Sequence, residues 1–129
     1  MLTSRYTSRD PVVTPDGRTA VLAAYVPLTQ NLEDPYISPV FAKSFKNLPP
    51  ALVITDADDP ARDEGDTYAK RLAAGGIQVR VSRYPNMVHG FFLMAGKVDA
   101  AKKAIDEVSE GLKQAFAART TPEQKGASF

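Results

Sequence analysis

Two short stretches hold the residues whose types invite chemistry. "DADDPARDEG" (Asp56–Gly65) gathers carboxylates around a proline, directly after an apolar run. "YPNMVHGFF" (Tyr84–Phe92) holds the only histidine of the chain, His89. An imidazole is the side chain whose ordinary pKa lets it trade a proton near neutral pH. A carboxylate that accepts from one ring nitrogen fixes the tautomer and turns the other nitrogen outward as a base. An acid and an imidazole are thus two of the three parts of a nucleophilic hydrolase site; the third is an activated hydroxyl. Against this stands the ordinary reading of a lone loop histidine as a surface or packing residue.

The elements around these stretches decide whether they can meet. "ALVIT" (Ala51–Thr55) is continuously apolar and rich in branched residues, the pattern of a strand covered on both faces in a parallel sheet. In the helical segment that follows, "EGDTYAKRLAAGG", Tyr68, Ala69 and Leu72 share a face. Asp63 is the expected N-cap, with Arg62 as a partner for it and Glu64, and Gly75 and Gly76 end the helix. "QVRVSRY" (Gln78–Tyr84) alternates, placing Val79 and Val81 on one face and Arg80 and Ser82 on the other. Val98, Ala101, Ile105, Val108, Leu112 and Phe116 then form the apolar stripe of a long amphipathic helix, with the charges of Lys97–Lys103 on its solvated side. The order strand, helix, strand, helix fits a βαβ unit with parallel strands. Catalytic groups of such sheets sit in loops at the carboxyl ends of the strands. Both chemical stretches follow strands, so both loops are expected on one rim.

Composition bounds the rest. A chain of 129 residues suits one domain with a core of useful size. The net charge of +1 gives no reason to expect nucleic acid or an acidic membrane surface as partner. With no cysteine there are no disulfides, no thiolate chemistry and no Cys-ligated metal. No apolar stretch approaches the ~20 residues of a membrane span, and "MLTSRYTSRD" is too polar for a signal peptide. A soluble cytoplasmic protein is the default expectation. Eight of the ten prolines fall at or before Pro60. Residues 1–50 therefore read as a Pro-rich loop segment with one short helix, capped by Thr14, begun at Pro15, with Val21, Leu22 and Tyr25 on one face. Residues 51–118 form the βαβα unit, and residues 119–129 a polar tail expected to be disordered.

These residues resemble a known family. "LPPALVITDADDPARDEGDTYAKRLAAGGIQVRVSRYPNMVHGFF" is similar to the C-terminal part of the hormone-sensitive-lipase-like esterases, a branch of the α/β-hydrolase fold. The family's "DPLRDEG" stands here as "DPARDEG" and its "HGF" as His89-Gly90-Phe91, with "EDPYISP" (Glu33–Pro39) as a further likeness upstream. The resemblance implies a partial α/β-hydrolase fold: a late βαβα unit with two parallel strands and flanking helices, preceded by the Pro-rich segment. It makes Asp59 the triad acid and His89 the triad base. It implies hydrolysis of carboxylic esters through a serine acyl-enzyme, without metal or organic cofactor. Asp56 and Asp58 remain loop acids rather than metal ligands, because their spacing does not follow a carboxylate-site pattern. Phe91, Phe92, Leu93 and Met94 suit core packing, with an acyl pocket as the alternative.

The departure from the family is as informative. Its nucleophile lies in a Gly-x-Ser-x-Gly elbow upstream of the acid and base, with a His-Gly-Gly-Gly-like oxyanion loop earlier still. None of Ser4, Ser8, Ser38, Ser44, Ser82, Ser109 and Ser128 has that setting. A positioned general base alone gives about 10²–10⁴-fold, so the isolated chain is expected to be inactive. The partners this implies are an N-terminal esterase segment bearing the serine, or self-association through an open sheet edge; a small ester is the substrate only once the site is completed. A non-catalytic module that self-associates is the alternative function.

Overall fold

A computed structural model describes residues 10–27 and 30–120. The chain divides into two compact units between Phe91 and Phe92. In the first, helix α1 spans Pro15–Tyr25, strand β1 Ala51–Asp56, helix α2 Arg62–Ala74 and strand β2 Val79–Tyr84. In the second, helix α3 spans Asp99–Thr120. Short 3₁₀ turns occur at Pro39–Phe41 and Phe91–Met94. The expected polar tail lies outside the described residues from 121 on, and residues 119–120 belong to α3.

Helix α1 begins as its residues suggest. Thr14 Oγ1 accepts from the Gly17 N–H at 3.1 Å, and Pro15 occupies the first helical position, where no amide donor is needed. Its apolar face is largely uncovered: Val21 is 71% and Tyr25 77% exposed, while Leu22 is half-buried.

Strands β1 and β2 are parallel and in register from Ala51 opposite Val79 to Asp56 opposite Tyr84. Backbone bonds extend the pairing past both ends, from Ala51 N to Gln78 O at 2.9 Å and from Ala57 N to Tyr84 O at 3.1 Å. Among the described residues the sheet has these two strands alone, so each has one hydrogen-bonded neighbour. This corrects the expectation of a β1 covered on both faces. Only Thr55 and Asp56 of β1 are buried, the rest being half-covered. Val81 of β2 is 46% exposed. An apolar strand earns full cover only between two neighbours and two layers.

Helix α2 bridges the strands and lies on β1. A Cβ at Gly65 would stand 3.2 Å from Thr55 Cγ2, and Ala69 and Leu72 are both 3% exposed. The helix also holds the preceding loop. Arg71 donates to the carbonyls of Val40 and Ala42 and its guanidinium lies 5.1 Å from the Phe45 ring centroid. Phe45 is buried and meets Tyr68 edge to face at 5.8 Å. The expected N-cap at Asp63 is corrected: the cap position is Ala61, which makes no side-chain cap bond, and Asp63 sits in the first turn. Arg62 pairs with Asp63 as expected, binding its Oδ1 through Nε at 3.0 Å and Nη2 at 2.8 Å.

In the second unit, α3 buries Ala101 and Ala104 completely and leaves Leu112 and Phe116 of its apolar stripe 51% and 63% exposed. Of the Phe91–Met94 run, only Phe91 is buried; Leu93 is 89% exposed, against the expectation of core packing.

Candidate active site

The loop after β1 is shaped by its own side chains. Asp56, the last residue of β1, accepts the Asp58 N–H at 3.1 Å. Asp59 Oδ1 accepts the Ala61 N–H at 2.6 Å, and Asp59 O accepts the Arg62 N–H at 3.0 Å. The Asp59 side chain and carbonyl thus take up the Ala61 and Arg62 N–H groups at the start of α2. Arg62 Nη1 reaches back to Ala57 O at 2.9 Å and closes the turn that carries Asp59.

The loop after β2 makes two left-handed residues within five positions, Asn86 at φ 59° and Gly90 at φ 76°. The rings of Tyr84 and Phe91 meet at 5.2 Å and close its base. The Phe91 N–H bonds to Val88 O at 3.0 Å, so His89 sits at the corner of a tight turn.

The parallel register brings these loops to one rim, and there His89 Nδ1 lies 3.0 Å from Asp59 Oδ2. A carboxylate only accepts, so Nδ1 is the donor and Nε2 the basic nitrogen. The Asp59 side chain is 16% exposed and that of His89 47%. The carboxylate is sheltered and the imidazole is half-exposed.

Asp10 was not singled out from the sequence. It is 6% exposed, its Oδ1 accepts the N–H groups of Val12 at 2.7 Å and Val13 at 3.1 Å, and its Oδ2 accepts the backbone N–H of His89. Burial alone would raise its carboxyl. The N–H groups of His89, Val12 and Val13, with the nearby His89 ring, hold it below the ordinary carboxylate value. The available signal was the Asp-Pro pair at 10–11, which favours a turn. Asp56, 2% exposed, is pushed up to about 6 by burial first and by the charge of Asp59 second. Among the described residues no three potential metal ligands cluster.

Asp59 and His89 stand in the wall of a cavity of about 830 Å³. Its apolar lining includes Val21, Leu22 and Tyr25 of α1. Val53, Ile54 and Thr55 line it too. Consecutive strand residues point to opposite faces, so the cavity wraps the edge of β1 as well as one face. Phe91 does not belong to this lining.

A parallel βαβ unit with a carboxylate–imidazole pair on its carboxyl rim is an arrangement of α/β hydrolases. The comparisons agree. Residues 2–93 match the model of an alpha/beta hydrolase fold family. Carboxylesterase NlhH of Mycobacterium tuberculosis is 36% identical over 109 residues, covering 82% of this chain and 34% of that protein. Among solved structures, an esterase of Pyrobaculum calidifontis superposes with a TM-score of 0.77 at 35% identity, over 81% of this chain and 34% of the other. A hormone-sensitive lipase from a metagenome library superposes with a TM-score of 0.76 at 28% identity, over 82% and 36%. The chain belongs to the α/β-hydrolase fold family, in its hormone-sensitive-lipase-like esterase branch. It spans about a third of the length of Carboxylesterase NlhH. Among the described residues no helix is long and apolar enough to cross a membrane.

Proposed function

We propose that this chain supplies the acid, Asp59, and the base, His89, of a serine carboxylesterase. In this reading the nucleophile comes from a polypeptide segment carrying a Gly-x-Ser-x-Gly elbow, and the 129 residues alone are inactive. The observation that carries it is the 3.0 Å contact of Asp59 Oδ2 with His89 Nδ1 beside a largely apolar cavity. His89 Nε2 takes the proton of the incoming serine as its oxygen attacks the ester carbonyl. The proton then passes to the departing alcohol, leaving an acyl-serine. Water, deprotonated by the same nitrogen, releases the carboxylic acid and restores the serine. Asp59 holds the ring and offsets the charge of the imidazolium formed in between. The apolar cavity suits the acyl part of a small carboxylic ester.

Hydrolysis of a p-nitrophenyl ester tests this. The chain is assayed alone, then with a serine-bearing segment from a hydrolase of the same family. Activity that needs both pieces and vanishes in His89→Ala is the expected result. Activity in neither condition, with the two pieces demonstrably bound, overturns it.

A second reading is a non-catalytic module that associates with its own copies. It is favoured by the single neighbour that β1 has among the described residues and by the exposed Val21 and Tyr25 of α1. Light scattering after size exclusion separates the two: a stable dimer that does not take up the serine-bearing segment supports this second reading, and a monomer counts against it.

A further inference from the structure

We propose that Asp10 is the positioning residue of the base: it holds the main chain of His89 while Asp59 holds the ring, so that the imidazole is fixed at two points. The inference rests on the reading of His89 as a base. What it adds is a third residue, from a different part of the chain, that the triad motif does not contain.

Asp10 lies 79 positions before His89 and is almost fully buried. A buried carboxylate is retained where its oxygens are occupied by donors. Asp10 accepts at both: Oδ1 from Val12 and Val13 of the local turn, and Oδ2 from His89. The loop it reaches has no ladder to stabilise it. Between Tyr84 and Phe91 it changes hand at Asn86 and again at Gly90. A segment with such backbone keeps one conformation only when its surroundings dictate it. A bond from a charged acceptor to the N–H of the functional residue itself is the most direct such constraint. An error of ~1 Å in a base costs on the order of a hundredfold in rate, so a chain that uses His89 as a base gains from this anchor.

The division of oxygens supplies a clean test. Asp10→Asn is isosteric and keeps one acceptor oxygen. The local turn offers that oxygen two N–H groups, so the amide nitrogen is left facing the N–H of His89, donor against donor. The local fold is retained and the link to His89 is lost. Asp10→Ala removes both.

Amide hydrogen exchange of the isotope-labelled chain reads the link without any activity. In Asp10→Asn the His89 amide is expected to exchange on the order of ten- to a hundredfold faster, the range for a hydrogen bond to a charged group, with the amides of α2 unchanged. In the complemented enzyme, kcat on a p-nitrophenyl ester is expected to fall by a similar factor, with KM altered less than about twofold, the signature of a misplaced base rather than a lost binding surface. Asp10→Ala is expected to do the same and to melt at a lower temperature. An unchanged His89 amide in Asp10→Asn overturns the proposal, as does full kcat once that amide has been released. Failure of the esterase reading is seen separately, as activity that survives His89→Ala.

Discussion

Asp59 divides its carboxylate between two partners: Oδ1 takes the Ala61 N–H at 2.6 Å, and Oδ2 meets His89 Nδ1 at 3.0 Å. The first bond fixes the loop that leads into α2, and the second fixes the imidazole. An Asn here keeps a turn-forming oxygen but places an NH₂ group where the ring nitrogen needs an acceptor. The ring then turns over or takes the other tautomer. In the complemented enzyme Asp59→Asn is expected to lower kcat by about 10³–10⁴-fold, measured on a p-nitrophenyl ester. In the chain alone, ¹⁵N resonances of the single imidazole report the tautomer directly, and a spectrum identical to that of the unaltered chain would refute this account of Asp59.

Asp56 makes stability depend on pH in an unusual direction for a carboxylate. Its folded-state value is raised from 3.8 to about 6, by burial first and by Asp59 second. The folded chain therefore binds this proton more tightly than the unfolded one. The contribution is fully present below about 3.8 and is lost as pH rises through about 6. Asp56→Asn keeps an acceptor for the Asp58 N–H and removes the charge. It is expected to stabilise the chain by about 1–3 kcal/mol at pH 8 and by almost nothing at pH 4. Urea titrations at the two pH values measure this; equal effects at both would refute it. Asp10 works the other way, because its folded value is lowered. Its contribution is present above the ordinary carboxylate value and is lost on acidification.

How much of this was legible in the sequence depends on the range over which each feature is determined. The apolar run at Ala51, the alternation from Val79 and the stripe on α3 are local patterns, and each marked its element to within a residue or two. The pairing of Asp59 with His89 needed one further step, the parallel order of two strands, which the long crossover between them implies. Asp10 carries only the turn signal of its Asp-Pro pair. Nothing periodic surrounds it, and its bond to His89 spans 79 positions. The start of α2 was misplaced for a related reason. Asp63 looks like a cap, but Asp59 has already turned the chain through Ala61, so the helix begins at Arg62. Val81 fits its strand by pattern, yet a pattern says which face a residue is on and not whether anything covers it.

Gly75 closes α2 against the loop that lines the cavity. A Cβ there would stand 2.8 Å from Phe45 Cβ and 3.1 Å from the Phe45 backbone carbonyl carbon and oxygen. Phe45 cannot retreat freely, since Tyr68 and Arg71 hold its ring. Gly75→Ala is therefore expected to destabilise the chain by about 1–3 kcal/mol, seen as a lower midpoint in thermal unfolding. A midpoint equal to or above that of the unaltered chain would show that the loop yields to the helix.

Gly90, directly after His89, separates backbone strain from crowding. Its φ is 76°, and a Cβ built on it meets nothing within 4 Å. Any effect of Gly90→Ala is thus conformational, about 1–2 kcal/mol for a left-handed residue with a Cβ. Part of that strain can be relieved by moving the turn that holds His89, whose N–H is tied to Asp10 and whose ring is tied to Asp59. Gly90→Ala is accordingly expected to lower the melting temperature by a few degrees and to lower kcat of the complemented enzyme by about tenfold. Asn86, at φ 59°, is the control. Asn86→Gly removes the left-handed strain but gives the unfolded chain more freedom, so the two effects oppose and the melting temperature should change little. Equal losses of kcat in both variants would mean that the loop tolerates either change by general loosening, and that Gly90 has no particular hold on the position of His89.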